Sequence, residues 1–566
     1  MAADPWLNNY APGVDWHAPL VPRPLYQLLD DAVERFPNKP AIDFLDRTFT
    51  YAELGRMVSQ AARGFQDLGV GPGIKVGLFL PNCPQFVVCY YGVLKAGGTV
   101  VNFSPLYSEE ELLHQIEDSH TDIMVTLGLK ALYPKMETLL AESRLKTLVV
   151  GSLAEVLPFP KNWLFPLLKR REVAAVRNDA RHVSFQELMH NEGDYAPVEI
   201  APESATAVLQ YTGGTTGVSK GAMLSHANIY LNTLQTALWM SDLRQGDERM
   251  MGVLPFFHVF AMTVVMNMSV HLGAEIIIHP RFVLEDVMRD IPRKKPTLMP
   301  GVPTMFGAIA GHADAGRLDL SSVRACISGG APLPVETKQR FEELTGAVVF
   351  EGYGLTEAAP VCSCNPFKGA NKEGSIGQPV PGTRIVITEP EDPGNELPQG
   401  ETGEICIEGP QVMQGYWQRP EATAEVLVEG RLRTGDVGYM DEEGYTFIID
   451  RIKDLVLVGG FNVYPRHVEE AIYQHPAVEE VTVIGIPDDY RGQSVKAFVK
   501  LAEGGGLTAE ELHAFLVPKL GKHELPAEIE FRDELPKTMI GKLSKKELVA
   551  EEVAKHEAAR AEAQEG

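Results

Sequence analysis

Tyr211-Thr212-Gly213-Gly214-Thr215-Thr216-Gly217-Val218-Ser219-Lys220-Gly221 gathers glycines, threonines, a serine and a lysine into one short run. Glycines let the backbone approach phosphate oxygens, hydroxyls add donors, and Lys220 brings a positive charge. The run follows the strand-like Ala205–Gln210. It is not a Walker A loop, because Val218 follows Gly217 where that spacing needs a lysine, and Lys220 comes later. A flexible polar surface loop is the bland alternative.

On the N-terminal side, helical and strand-like patterns alternate. Leu54–Leu68 predicts an amphipathic helix, stopped by Gly69-Val70-Gly71-Pro72-Gly73. Lys75–Leu80 reads as a buried strand, Gln85–Ala96 as a helix and Thr99–Phe103 as another strand. Such alternation predicts parallel sheets covered by helices. The same rhythm returns on the C-terminal side, with strands expected at Glu275–Ile278, Leu298-Met299, Val323–Ile327 and Val348–Glu351.

From Gly374 onward Gly, Pro and Glu become frequent. Short β runs at Arg384–Thr388, Gly403–Glu408 and Tyr445–Ile449 predict a small β subdomain. Past Asp450-Arg451-Ile452-Lys453-Asp454 comes an α+β pattern, with helices at Val468–Gln474 and Ala509–Lys519 and strands at Val478–Ile486 and Val495–Leu501. The expected division is therefore 1–450 and 451–566. The Ala- and Glu-rich Lys545–Gly566 predicts a solvated, frayed helix.

At 566 residues the chain is too long for one core. A formal net charge of -25 excludes the basic footprint of a nucleic-acid binder, although a few local donors can still hold an anionic nucleotide. The cysteines are scattered, as expected of reduced thiols in a cytoplasmic protein, and Cys362 and Cys364 are too isolated for a zinc site. The N-terminus shows no basic region leading into an apolar run, so no secretory signal is expected. Leu254–Ala274 lacks Asp, Glu, Lys and Arg, but Pro255, His258, Asn267, Ser269 and His271 interrupt it. A buried helix is expected there rather than a membrane span.

Three further motifs carry chemistry. Ser328-Gly329-Gly330-Ala331-Pro332-Leu333 leaves room for a flat ring beside the backbone. Glu351-Gly352-Tyr353-Gly354-Leu355-Thr356-Glu357 offers an aromatic face, a hydroxyl and a carboxylate, a donor set that suits Mg²⁺. Arg433-Thr434-Gly435-Asp436 sets a carboxylate after a tight turn. Each has a plainer reading: Tyr353 as a core aromatic, Glu357 as a surface carboxylate, Asp436 as a turn former and Arg451 as one half of an ion pair.

In this order, and closed by Leu535-Pro536-Lys537-Thr538-Met539-Ile540-Gly541-Lys542, the motifs resemble the adenylate-forming superfamily. That superfamily comprises acyl-CoA synthetases, luciferases and peptide-synthetase adenylation domains, and the likeness covers nearly the whole chain. Glu401–Gly409 and Gly430–Glu469 look most like bacterial long-chain fatty acid–CoA ligases. The resemblance implies an α/β fold: a large N-terminal domain of two helix-covered sheet subdomains plus a small β subdomain, with a mobile α+β C-terminal domain. It implies ATP, Mg²⁺ and coenzyme A as ligands, and a fatty acid as the activated partner.

The site residues follow from the same resemblance. Thr212, Gly213, Gly214, Thr215, Thr216, Gly217 and Lys220 would cradle the phosphates. Gly330, Ala331, Glu351, Gly352, Tyr353 and Gly354 would surround the adenine, with Tyr353 stacked on it. Thr356 would bind phosphate, Glu357 and Thr212 would hold Mg²⁺, and Asp436 and Arg451 would take the ribose. Lys542 is the family lysine that neutralises carboxylate and α-phosphate, chosen over Lys537 and Lys545 because it follows Gly541. A carboxylate approaching a triphosphate meets like-charge repulsion, so cationic clamping by Lys220 and Lys542 carries much of the catalysis, with Glu357 supporting the metal. Lys453 matches the hinge, and Gly459 and Gly460 match the face that meets coenzyme A. Leu457 departs from relatives that carry a polar residue there. His258 and Val302 match the acyl pocket; no general base is needed, since a carboxylic acid with a pKa of about 4–5 is already ionised at neutral pH.

The stretch 157–171 sets Trp163 and Phe165 beside Lys169, Arg170 and Arg171. Such a mixture suits peripheral contact with the inner membrane face, or packing on the domain surface. A homodimer is compatible with the family. Other readings keep the adenylation and change its outcome: an aryl or dicarboxylic acid, a carrier protein as acceptor, or a luciferase-like oxygenase.

Overall fold

A computed structural model of the chain describes residues 4–212, 219–458, 461–488, 491–502, 504–537 and 543–565. Chain contacts divide it into two compact units, Met1–Ile385 with Ile407–Leu432, and Val386–Cys406 with Arg433–Gly566. The fold is of the expected mixed α/β kind.

In the first unit a seven-stranded sheet runs His182–Ser184, Thr147–Gly151, Ile123–Leu127, Lys75–Leu78, Thr99–Asn102, Thr206–Thr212 and Lys220–Ser225. The strands pair in parallel except the last, which returns antiparallel to Thr206–Thr212. Continuous apolar runs explain the central strands: Ile123–Leu127 is buried throughout, as a strand covered on both faces must be. The helix Tyr51–Asp67 begins with a capping box in which Thr50 and Glu53 satisfy each other's backbone donors. The helix Pro84–Lys95 is buried along its whole length.

A second sheet orders Arg249–Gly252, Glu275–Ile278, Pro40–Phe44 and Arg47–Thr50. Leu298 bridges it in parallel to Ala325, so Leu298-Met299 makes single bridges and not the strand expected. The Leu254–Ala274 segment is indeed buried, but it contains a wide-turned π-helix at Ala261–Asn267 followed by an α-helix at Met268–Leu272. No helix among the described residues is long and apolar enough to cross a membrane. All six cysteines are free thiols and buried.

In the second unit, Arg431–Met440 and Thr446–Arg451 form an antiparallel hairpin. A further sheet orders Phe461–Val463, Val456–Val458, Gly492–Leu501 and Val478–Asp488, with Glu528–Phe531 parallel to Gly492–Leu501. Val468, Ile472, Val483, Val499, Leu512 and Leu516 form its core. The terminal helix Lys545–Glu565 differs from the solvated expectation at its start. Leu548 is buried with Ile484, Ile486, Phe498 and Leu535, and the buried Glu552 reaches Lys496. Leu548, with ion pairs made by Lys545, Glu551 and Glu552, docks an otherwise polar helix.

Candidate active site

The Gly/Thr-rich run joins two antiparallel strands, with Thr212 and Lys220 as the last paired residues. Gly213, Gly214, Thr215, Thr216 and Gly217 lie outside the described residues. The Thr212 hydroxyl donates to the Lys220 carbonyl at 3.4 Å. Beside them the Ser219 hydroxyl is buried without a hydrogen-bond partner among the described residues. A buried hydroxyl left unpaired costs free energy unless a ligand satisfies it. The run thus lies between two antiparallel strands, unlike the strand-to-helix setting of a Walker A site.

The segment Gly415–Trp417 lies along the edge strand Lys220–Ser225. The Met223 amide donates to the Gly415 carbonyl at 2.9 Å, and the Trp417 amide to the Gly221 carbonyl at 2.8 Å. Gly415 has φ +138, and a Cβ there would stand 2.7 Å from the Thr423 methyl. Only glycine fits comfortably, and the turn it allows sets Tyr416 opposite Ala222. The Tyr416 hydroxyl donates to Glu357 Oε1 at 2.6 Å, while Lys220 Nζ lies 5.2 Å from the centre of the same ring. Burial, and then the neighbouring Glu357 charge, hold the Tyr416 phenol protonated far above its usual range. Tyr416 therefore stays a donor to Glu357. Residues from three distant stretches converge here on one phenol.

Glu357 belongs to a one-turn helix, Thr356–Ala358, that follows the strand Val348–Gly354. The Met413 amide donates to the Glu357 carbonyl at 2.7 Å, so backbone and side chain are both held. Gly354 admits no side chain, since a Cβ would meet the Pro360 carbonyl oxygen at 2.0 Å. That close approach turns the chain so that Thr356 and Glu357 follow the strand end, with Tyr353 on it. Glu351 is fixed from its other neighbour: its Oε2 accepts from the Leu333 amide at 3.1 Å. Gly329 pairs with Gly352 across the adjacent parallel strand, and Gly330 follows at φ +88, which favours glycine. Ala331 continues that turn. The Ser328 hydroxyl is a second buried group with no hydrogen-bond partner among the described residues.

The segments carrying the two residues expected at the acyl pocket, His258 and Val302, meet this strand end. A Cβ on Gly329 would stand 3.1 Å from the Phe260 ring, so the segment carrying His258 packs on the glycine-bearing end of the strand Ala325–Gly329. His258 Nδ1 accepts from the Phe260 amide at 3.3 Å. Val302 is buried, and the preceding Gly301 pairs with the strand Ala325–Gly329 through bonds of 3.0 and 3.1 Å.

In the second unit, Gly435 at φ +72 makes the turn that presents Asp436, which faces Arg451 across the hairpin. Arg451 Nε donates to Asp436 Oδ1 at 3.0 Å, so the two residues assigned to the ribose are paired with each other. Lys453 is exposed on the one-turn helix Ile452–Asp454. Gly459, Gly460 and Lys542 lie outside the described residues. The two lysines that could be confused with Lys542 are engaged elsewhere: Lys537 pairs with Glu480 at 2.6 Å and Lys545 with Glu469 at 3.2 Å. Burial would lower the Lys545 pKa, but Glu469, Asp450 and Asp454 outweigh it and raise the pKa.

Tyr416 is the residue that sequence reasoning missed. The aromatic pair Tyr416-Trp417 after a glycine was a signal that something packs there, but no spacing rule connects it to Glu357.

The chain matches the family model described as AMP-binding enzyme over residues 29–417, and that of the AMP-binding enzyme C-terminal domain over residues 467–542. It is 45% identical over 555 residues to the long-chain-fatty-acid–CoA ligase of Bacillus subtilis (strain 168), covering 98% of this chain and 99% of that one. It is 38% identical over 554 residues to the long-chain-fatty-acid–CoA ligase of Escherichia coli O6:H1, covering 96% and 97%. Among solved structures, ATP-bound MatB from Rhodopseudomonas palustris superposes with a TM-score of 0.82 at 29% identity, covering 94% of this chain and 99% of that one.

Proposed function

The chain belongs to the AMP-binding enzyme family, and from that premise we propose how it activates a fatty acid to its coenzyme A thioester. It is an acid–thiol ligase that works through an acyl-adenylate, with ATP and coenzyme A as co-substrates. In the first half-reaction the fatty carboxylate attacks the α-phosphate of ATP and pyrophosphate leaves. In the second, the thiol of coenzyme A attacks the acyl carbonyl and AMP leaves, so no covalent enzyme nucleophile is required.

The observation that carries the assignment of residues is the convergence of Lys220 and Glu357 on Tyr416 beside the phosphate hairpin. Lys220 neutralises phosphate charge, and the Gly213–Gly217 backbone with Thr212 and Thr216 completes the cradle. The Ser219 hydroxyl, which has no hydrogen-bond partner among the described residues, fits such an anion. Glu357, with Thr212, is the carboxylate and hydroxyl set suited to Mg²⁺, which when bound would offset triphosphate charge. Tyr416 is a positioning residue: it fixes the Glu357 oxygen that would otherwise swing. Tyr353 and the glycines around it accept adenine, Thr356 a phosphate, and the Asp436–Arg451 pair the ribose. Lys542 clamps the reacting carboxylate and α-phosphate during adenylation only. The functional division lies at 450/451, with Lys453 as hinge, so that rotation of 451–566 removes Lys542 and brings Gly459-Gly460 to coenzyme A. His258 and Val302 line the acyl entrance.

Two half-reactions make this testable. Lys542→Ala is expected to lower acid-dependent ATP–pyrophosphate exchange by about 100-fold or more while leaving thioester formation from preformed acyl-AMP within about threefold of the parent. Equal losses in both assays would remove Lys542 from the adenylation step. An acid panel in the same exchange assay, including coumarate and pimelate, should rank long-chain fatty acids first.

A further inference from the structure

The helix Lys161–Leu168 turns its apolar face outward. Trp163 is 75% exposed, Leu167 68% and Leu168 76%, and Phe159 just before the helix is 84% exposed. Residues three or four apart share a helix face, so the pairs Trp163–Leu167, Leu164–Leu167 and Leu164–Leu168 join into one stripe that no described element covers. Leaving several large apolar side chains together in water is costly, which is why such patches mark an interaction surface.

The flanking charges say which kind of surface. Lys161 is tied to Asp46 at 2.7 Å and to the Leu45 carbonyl at 3.2 Å, which anchors the helix start to the body of its unit. Lys169 is spent on Glu172 at 2.7 Å. Arg170 and Arg171, just past the helix end, are exposed and form no ion pair with a described residue. Two unspent guanidinium groups therefore border the apolar stripe, in a chain whose formal net charge is -25. Distant acidic groups count for little, since the Debye length is about 8 Å at physiological salt, whereas the two arginines stand beside the contact itself.

We infer that 159–171 is a membrane-docking element: its apolar stripe enters the interfacial layer of an anionic bilayer while Arg170 and Arg171 meet lipid phosphates. The helix is far too short to span a bilayer, so it lies in the surface plane. Trp163 suits that depth, where an aromatic ring is half in hydrocarbon and its N–H half in water. A second copy of the chain is the competing occupant, but the arginine pair would then have to find matching acids within a self-complementary patch, and no acid stands among Phe159–Arg171.

Docking rests on this surface and not on the assigned reaction, so its test reads binding alone. Full-length protein is sedimented with sucrose-loaded vesicles of phosphatidylcholine, with or without roughly 30% phosphatidylglycerol, at about 0.15 M salt. The parent is expected to partition about tenfold better into the anionic vesicles, the triple variant W163A/L167A/L168A to lose about tenfold or more, and R170E/R171E to lose the anionic preference. Adenylation of a short, water-soluble acid should be unchanged in both variants, which shows them folded. Parent protein that ignores both vesicles, or a triple variant that binds as well as the parent, overturns the inference. So does a dimer, seen by analytical ultracentrifugation, that the triple variant breaks while the parent binds no vesicle.

Discussion

Two lysines in two parts of the molecule show how the same side chain is made available or spent. Lys220, at the start of the strand after the Gly/Thr-rich run, forms no ion pair with a described residue and rests over the Tyr416 ring. Lys496, on the strand Gly492–Leu501, is 5% exposed and meets Glu528 at 2.9 Å, Glu530 at 3.0 Å and Glu552 at 3.0 Å. An aromatic face attracts a cation by only about 0.5–1 kcal/mol at an accessible site, so it orients Lys220 without cancelling its charge. Three carboxylates, only Glu552 of them buried, surround Lys496 and leave its charge spent inside the protein. The first arrangement leaves the charge available, as the proposed phosphate role requires; the second clamps a strand, its neighbour and the terminal helix together.

Removing each ammonium should therefore break different things. Lys220→Ala is expected to lower acid-dependent ATP–pyrophosphate exchange by about 100- to 1000-fold, with the thermal midpoint unchanged, because a preorganised charge is lost and no structural partner is orphaned. Lys496→Met should do the reverse. It leaves the buried Glu552 and the half-exposed Glu530 facing each other, and should cost about 2–3 kcal/mol in denaturant titration, somewhat below a fully buried pair. Exchange activity of the folded variant should change little. If Lys220→Ala unfolds the protein or Lys496→Met abolishes adenylation, the contrast is wrong.

A smaller effect separates the two partners of Tyr416. Tyr416→Phe keeps the ring under Lys220 and deletes the hydrogen bond to Glu357. The half-saturating Mg²⁺ concentration in the exchange assay should rise about tenfold, as is usual when an outer partner of a metal ligand is lost. At saturating Mg²⁺ the rate should recover to within about threefold. A purely structural tyrosine would depress the rate at every Mg²⁺ concentration.

How much of this was legible follows from how far apart the partners lie. The run around Thr212 and Lys220, and Tyr353 to Glu357, could be singled out as candidates because each is a local cluster of chemistry-bearing residues. The parallel strands could be read because burial on both faces leaves unbroken apolar runs, as at Ile123–Leu127. Tyr416 could not, because its role exists only once Gly415 turns it toward a carboxylate that is 59 residues away. Leu298-Met299 looked like a strand since it is apolar, yet single bridges are all its short length makes. The terminal helix was misread for the opposite reason: its composition is that of a solvated helix, and a few residues, chiefly Leu548 and Glu552, make the docked side. Composition averages over a segment, whereas docking needs only one or two residues on the right face.

Acid separates the two regions most finely. Burial alone would raise the Glu530 and Glu552 carboxyls, but bonds from Lys496, with Arg532 or Lys555, outweigh it and hold both below the ordinary value of 4.5. Their folded pKa values are therefore lower than the unfolded ones. The stability they contribute is complete above about pH 4.5 and is lost as the pH falls through the lowered values. The thermal midpoint of the parent should consequently drop between about pH 5 and pH 3, and the drop should be smaller in Lys496→Met, where part of the linkage is gone. Glu551, held at about 2 chiefly by Arg532, belongs to the same seam but not to Lys496, so some loss should continue toward that pH in both proteins. Parallel pH profiles for parent and variant would mean that the Lys496 links to Glu528, Glu530 and Glu552 contribute nothing measurable to the acid response.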